Sequence, residues 1–190
     1  LGVVTLLRDI TKEVHEREKL IDKSERDSMT QIYNRLTFER KVNDILSENS
    51  VDGAHNSDFS LLIIDIDNFK EVNDNYGHKI GDEVIIEVVK LTTTVCRERG
   101  IVGRLGGDEF AVFLRNCDET LNREIAYGIQ DLVNKHDFLV DDQIFNVSLS
   151  IGGITDKSGI YHFDDLYVKA DAALYDSKET GRKKFTQYKG

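Results

Sequence analysis

Apolar and polar positions along the chain alternate between two periods, and the switches between them mark out strands and helices. Phe59 to Ile66 is a nearly unbroken apolar run, which predicts a strand buried on both faces near the middle of a sheet. Gly81 to Arg99 puts Val84, Val88, Leu91 and Val95 on one stripe, the pattern of an amphipathic helix. Asn34 to Ser47 and Asp118 to Lys135 predict further helices. So does Phe163 to Thr180, whose inner face carries Leu166, Ala170, Ala173 and Leu174. Ile101 to Leu105 and Phe110 to Leu114 predict two strands joined through Gly106-Gly107-Asp108-Glu109, a hairpin turn. Ile144 to Ile151 alternates as a strand, and Lys184 to Tyr188 predicts a last short one. Glu48 to Asp58 reads as a long polar loop, and Asn73 to His78 as a polar turn ahead of the next helix. An antiparallel hairpin among helix crossovers implies an α/β sandwich built on a mixed sheet.

Ahead of this unit, Gly2 to Leu7 predicts one strand, which alone cannot be a domain. From Ile10 to about Arg26 the chain is charge-rich and free of helix breakers. Ile10, Val14 and Ile21 fall at heptad-like spacing, with Arg17 and Ser24 in the intervening core slots. That spacing fits equally a linker helix with a weak coiled-coil seam and a solvated helix that pairs with nothing. The expected divisions are therefore a strand over residues 1–9, a helical linker over 10–26 and the main domain over 27–190.

Composition narrows the function classes. A chain of 190 residues buries a sizeable core without disulfides. No apolar run approaches the roughly 20 residues that span a bilayer. Leu1 to Leu7 lacks the basic flank and cleavage pattern of a secretory signal. The formal net charge of −10 argues against a nucleic-acid polymer as partner and against direct membrane contact. A polyanionic ligand would need local cations and a metal. Cys96 and Cys117 read as free thiols, which suits a cytoplasmic setting.

Against that acidic background, the carboxylates fall in a particular arrangement. Leu61 to Ile64 runs straight into Asp65-Ile66-Asp67, and carboxylates two apart on a strand point to one face. Two of them at the end of a buried strand are costly unless something positive sits there. Asp108 and Glu109 form a second acidic pair on the hairpin turn. Each acid taken singly is a solvated turn former; converging, they suit Mg²⁺, which takes one or two carboxylates plus substrate phosphate. Asn68-Phe69-Lys70 follows the strand as a strand-to-helix turn whose free N–H groups suit phosphate, with Lys70 adding charge. Lys178 and Arg182 flank Gly181 at a predicted helix end, where cations are also favoured by the helix dipole alone. Asn73 and Asp82 surround the polar turn. They read as turn and first-turn residues, and together they could also pair with a guanine edge.

Arg104-Leu105-Gly106-Gly107-Asp108-Glu109-Phe110 contains the signature after which the GGDEF family is called, and Ile64 to Asp82 resembles its second signature. Asp27 to Arg35 resembles the opening motif, with Gln31 where Gly is usual. Val147 to Gly152 and Ala170 to Lys178 match the later blocks. The chain is thereby identified as similar to diguanylate cyclases, and Gly2 to Thr11 resembles the closing strand of a PAS-like sensor domain. The resemblance implies an adenylyl-cyclase-like, palm-type fold that condenses two GTP molecules into cyclic di-GMP as a homodimer governed by an upstream sensor. It implies Mg²⁺, or Mn²⁺ in its place, on Asp65, the Ile66 carbonyl and Asp108. Glu109 would help hold a second metal or deprotonate the ribose 3′-hydroxyl. Asn68, Phe69 and Lys70 would bind the triphosphate beside Gly106 and Gly107, Lys178 and Arg182 its outer phosphates, and Asn73 and Asp82 the guanine. The alternative is a catalytically weak module that binds GTP or cyclic di-GMP, whose usual mark, a damaged Gly-Gly-Asp-Glu-Phe turn, is absent here.

The chain departs from the family at the inhibitory Arg-x-x-Asp site. Arg97 is present, but Gly100 stands six positions before Gly106, where the family has Asp. The expectation is weak product inhibition, restored by Gly100→Asp.

Overall fold

A computed structural model describes residues 24–51, 58–96, 99–156 and 162–189. The strand expected over 1–9, the linker before Ser24 and Arg97 lie outside the described residues.

In chain order the elements are β1 (Tyr33–Asn34), α1 (Arg35–Val51), β2 (Phe59–Ile66), α2 (Phe69–Tyr76) and α3 (His78–Cys96). There follow β3 (Gly100–Gly106), β4 (Glu109–Arg115), α4 (Glu119–Asn134), β5 (Phe138–Val140) and β6 (Gln143–Phe145). The last are β7 (Leu149–Asp156), α5 (Phe163–Glu179) and β8 (Phe185–Gln187). Six strands make one mixed sheet in the order β1-β3-β4-β2-β7-β8, and β5-β6 is a separate hairpin. β2 runs antiparallel to both β4 and β7, while β1 and β8 add in parallel at the edges. The α/β sandwich on a mixed sheet is therefore as the sequence predicts.

Strand alternation divides the core between two layers. Leu62, Ile64 and Ile66 pack with Val84 and Val88 of α3 and Ile125 and Ile129 of α4. Leu61 and Ile63 point the other way, onto Phe38 and Val42 of α1 and Leu166 and Leu174 of α5. With both faces covered, β2 has no polar side to present, which is why its sequence is an apolar run rather than an alternation. Its position 65 shares the α1/α5 face with Leu61 and Ile63, so Asp65 emerges toward α5. Cys96 and Cys117 are buried free thiols, and burial pushes Cys96 up to about 12. No helix among the described residues is long and apolar enough to cross a membrane.

The structure departs from the sequence reading in three places. Asn73 to His78 is not a turn: residues 69–76 form α2, an eight-residue helix whose apolar face is Phe69, Val72 and Tyr76 alone, too short to register as a stripe between its polar residues. α3 accordingly begins at His78, which moves Asp82 into its second turn. The strand expected over 144–151 is two strands in different sheets. Asn146 breaks it by donating its side-chain amide to the His136 carbonyl at 2.7 Å and to Asp137 at 2.8 Å.

β7 and α5 touch backbone to backbone. A Cβ on Gly152 would lie 2.2 Å from both the Ala170 carbonyl oxygen and the Leu174 amide nitrogen. Gly128, inside α4, has only a Val95 methyl at 3.4 Å. Gly152→Ala is therefore expected to destabilise by about 3 kcal/mol through forced separation of the layers. Gly128→Ala should stabilise by roughly 0.5–1 kcal/mol through helix propensity. Denaturant melts of both variants check the pair, and a neutral Gly152→Ala would contradict the close approach.

Candidate functional site

The carboxyl end of β2 carries the site. In the β2–β4 ladder Asp65 stands directly opposite Glu109, and in the β2–β7 ladder it stands opposite Ser150. Side chains so paired lie on one face, so Asp65 and Glu109 project together toward α5. Asp108 sits on the turn beside them and acts on Asp65 electrostatically, as does Asp67. The expected convergence of carboxylates is thus present as a local field. Among the described residues, however, no three His, Cys, Asp or Glu side chains close into a metal cage of their own. A site that holds its ion between one or two carboxylates and a phosphate needs no such cage.

The nearest answer to Asp65 is Lys178 of α5, whose Nζ lies 2.7 Å from the carboxylate. Burial nevertheless raises the Asp65 pKa above the ordinary carboxylate value; Lys178 opposes the shift, and Asp108 and Asp67 add to it. Glu109 is raised in the same way, by burial first, then by Asp171 and Asp65, against Lys178 and Arg35. Tyr167, raised by burial and then by Glu109 and Asp171, borders the same space.

Asp67 has a different environment. It is 7% exposed. It accepts from Ser150 Oγ at 2.6 Å, Ser148 Oγ at 2.7 Å and the Lys183 backbone N–H at 3.1 Å. The sequence points to it only as the second acid of a pair. Its partners lie more than eighty residues away and carry no local signal.

The phosphate candidates surround this end of the strand. Asn68 caps α2 in a left-handed conformation, φ 55°, without a side-chain capping bond, which leaves the first N–H groups of the helix, beside Phe69 and Lys70, without a capping side chain. Arg182 lies just past α5, where the helix closes in a Schellman turn: Gly181 is at φ 114° and the Arg182 N–H donates to the Ser177 carbonyl at 2.9 Å. Lys178, Arg182 and the α2 N-terminus thus rim one corner. A groove of about 420 Å³, lined by Asp67, Asn68, Glu71, Asn75, Ser148 and Lys183, opens beside it. Asn73 and Asp82 sit on neighbouring helices. The Asn73 carboxamide lies over Gly81, where a Cβ would come within 2.0 Å of its oxygen.

The hairpin turn is tied to the entering chain. Arg104 donates to the Gly107 carbonyl at 2.7 and 3.0 Å and pairs with Asp27 at 3.1 Å. Gly107 itself has φ 50°, a conformation that suits glycine. Burial raises the Asp27 pKa, but hydrogen bonds from Thr30 and the Arg104 guanidinium outweigh it and hold it low. Gln31, in the same entry turn, sits at φ 61°, which is why glycine suits that position. Gly100 opens β3 with no room for a side chain: a Cβ there would meet the Phe113 carbonyl oxygen at 2.2 Å. Gly100→Asp therefore cannot restore an acceptor without moving β4, which overturns that expectation.

The family described as "Diguanylate cyclase, GGDEF domain" matches residues 24–184. Relatives include "Probable diguanylate cyclase DgcE" of Escherichia coli, 31% identical over 99% of this chain and 17% of that protein. Another, "Diguanylate cyclase" of Vibrio cholerae, is 32% identical over 100% of this chain and 57% of that protein. The chain thus spans less than two thirds of the length of these curated relatives. Among solved structures, the coiled coil and GGDEF domain of DgcB from Caulobacter crescentus, in complex with c-di-GMP, superposes with a TM-score of 0.86 at 26% identity. The superposition covers 98% of this chain and 100% of that one.

A folded-state pKa above the unfolded value means that ionised Glu109 destabilises the fold, so its contribution to stability is lost as pH rises through that raised pKa. Glu109→Gln is expected to melt higher than the parent at about pH 7, with the difference vanishing below about pH 4, where the carboxyl is neutral in both states. Melting curves of parent and variant across that range check the sign. A variant less stable than the parent at neutral pH would contradict it.

Proposed function

The chain belongs to the GGDEF family, and on that premise we propose that it is the catalytic domain of a diguanylate cyclase, joining two GTP molecules into cyclic di-GMP with release of two pyrophosphates. The observation that carries the proposal is the seating of Asp108 and Glu109, on an intact turn, against Asp65 at the end of β2. Residues 27–190 form this unit, with 10–26 as the linker and 1–9 as the end of a PAS-like sensor.

In the proposed reaction the 3′-hydroxyl of one GTP attacks the α-phosphorus of the other, the bond to the pyrophosphate breaks, and a second, symmetric event closes the ring. Asp65, the Ile66 carbonyl and Asp108 form a hard-oxygen donor set that fits Mg²⁺ or Mn²⁺. When bound, the ion supplies positive charge to the phosphate oxygens and makes the attacking hydroxyl more acidic. Glu109, its pKa raised toward the working range, accepts the hydroxyl proton or helps hold a second ion. The free N–H groups at Asn68, Phe69 and Lys70 hold the triphosphate, and Gly106 and Gly107 let the turn approach it. Lys178 and Arg182 take the outer phosphates. Asp82 accepts from the guanine N1–H and amino group while Asn73 pairs with the same edge, so GTP is preferred over ATP. One domain presents one such site, so a homodimer brings two GTP molecules together in a cytoplasmic setting, under control of the upstream sensor.

Incubation with GTP and Mg²⁺ should release pyrophosphate and form cyclic di-GMP, with rate per protomer rising with protein concentration before levelling off. Asp65→Asn and Asp108→Asn should each lower turnover by at least about 100-fold with the fold intact. Near-parental turnover in either variant, checked for folding by circular dichroism, would remove the assigned site.

Product inhibition is expected to be weak. With Gly100 in place of an acidic acceptor, a lost charge-assisted hydrogen bond costs about 1.5–3 kcal/mol, roughly ten- to a hundredfold in affinity. Cyclic di-GMP titrated into the turnover assay checks this: submicromolar inhibition abolished by Arg97→Ala would refute it.

A further inference from the structure

We infer that Asp67 is a positioning residue that holds the Arg182–Lys183 turn in register with the N-terminus of α2, and so fixes where Arg182 meets the substrate's outer phosphates. The inference rests on the GTP-binding reading above and adds to it a residue that touches no phosphate.

Two phosphate-binding elements come from distant parts of the chain, and Asp67 belongs to both. Its own backbone leads directly into Asn68 and α2, and its N–H donates to the Ser148 carbonyl at 2.9 Å, anchoring that end to β7. Its carboxylate reaches across to the Lys183 N–H at 3.1 Å. Among the described residues no other side chain is shown to do both.

The turn it holds is strained. Gly181, Arg182 and Lys183 follow one another at φ 114°, 58° and 53°. For the two non-glycine residues the left-handed conformation is unfavourable, and such strain persists only where the surroundings enforce it. Packing does not enforce it here. Arg182 and Lys183 are exposed, and the groove of about 420 Å³ opens along Lys183. Hydrogen bonds hold the turn instead. On the helix side Arg182 N–H donates to the Ser177 carbonyl and Lys184 Nζ to the Thr180 carbonyl; on the sheet side Ile151 N–H donates to the Lys184 carbonyl and Lys183 N–H to Asp67. Of these, the bond to Asp67 is the one on the residue next to Arg182 toward the sheet; without it Arg182 can relax to the right-handed region between the two remaining anchors, and its side chain then leaves the backbone in another direction.

The two serines explain why this clamp needs a carboxylate. Ser148 and Ser150 are buried and both donate to Asp67, so the group must accept three bonds at once. An ionised carboxylate is acceptor-only, whereas a carboxamide is half donor. In Asp67→Asn the amide nitrogen can only donate, so one of the three contacts is lost or reversed: the Lys183 N–H loses its acceptor, or a serine hydroxyl must turn to accept and the carboxamide shifts with it.

The test is a double-mutant cycle between Asp67→Asn and Arg182→Ala, read as the dissociation constant for 3′-deoxy-GTP with Mg²⁺, a probe that lacks the attacking hydroxyl. Asp67→Asn should weaken binding about tenfold in the parent and less than about twofold in the Arg182→Ala background. An equal loss in both backgrounds would show a merely structural role, and no loss in either would leave nothing to position; both overturn the inference. A parent protein that fails to bind 3′-deoxy-GTP overturns the GTP reading itself, a distinct result. Should Asp67→Asn not fold, Ser148→Ala reads the same cycle, because it removes a donor from the oxygen that accepts from Lys183. It should then show about a threefold loss that Arg182→Ala abolishes.

Discussion

Everything at the carboxyl end of β2 follows from the difficulty of placing negative charge where a fully buried strand surfaces. Leu61 to Ile64 are 0% exposed, and Asp65 and Asp67 come immediately after them. An unpaired carboxylate in that position would have to give up its charge or its burial. The two acids escape in different ways. Asp67 is met by three hydrogen-bond donors and is settled within the protein. Asp65 has one lysine, which does not cancel the effect of burial and of two neighbouring acids. The first arrangement is saturated and suits a structural tie. The second still lacks positive charge and suits the capture of a cation with a phosphate.

The same constraint shapes the opposite strand. Glu109 faces Asp65 in register and is raised by its acidic neighbours, so the hairpin that presents it must be held against repulsion. Arg104 supplies that hold by binding the Gly107 carbonyl with two N–H groups while pairing with Asp27. The grip on the hairpin turn is therefore anchored in the segment that precedes β1. A displacement of Asp27 would be felt at Gly107 through one guanidinium.

The sequence made the sheet's centre legible because burial on both faces leaves an apolar run that no other element produces; β2 spans the residues the pattern marks. α4 and α5 were nearly as clear, the former because Asp118 caps it by accepting from Leu121 N–H at 2.8 Å. The failures share a cause. α2 offers only Phe69, Val72 and Tyr76 to the core and is fixed by what they meet there, and the break at Asn146 depends on partners at His136 and Asp137. Gly100 looked like a lost acceptor that one substitution could replace, yet the space it faces is filled by the β4 backbone. In each case the deciding contact is tertiary. Of the site, the acids and cations could be listed from the sequence. What could not be read there is that Asp67 looks inward to two serines while Asp65 looks outward to α5.

Backbone strain lies where the charges converge. Asn68, Gly107, Gly181, Arg182 and Lys183 all have positive φ, and all lie at the corner where β2, the hairpin turn and the end of α5 meet. Among the described residues the remaining positive-φ positions are Gly106 beside Gly107, Gln31 in the entry turn, Gly77 between α2 and α3, Asn116 and the tip of the β5–β6 hairpin. A polyanion is bound best by N–H groups and cations aimed inward before it arrives, and chains aim them inward by leaving the ordinary conformational basins. Raised carboxylates and left-handed residues both detract from stability, and both are concentrated at the end of β2, a strand buried along nearly its whole length. That placement follows from rigidity: only a sheet packed on both faces, with α5 touching the neighbouring strand β7 backbone to backbone at Gly152, can hold so many unfavourable groups in one arrangement.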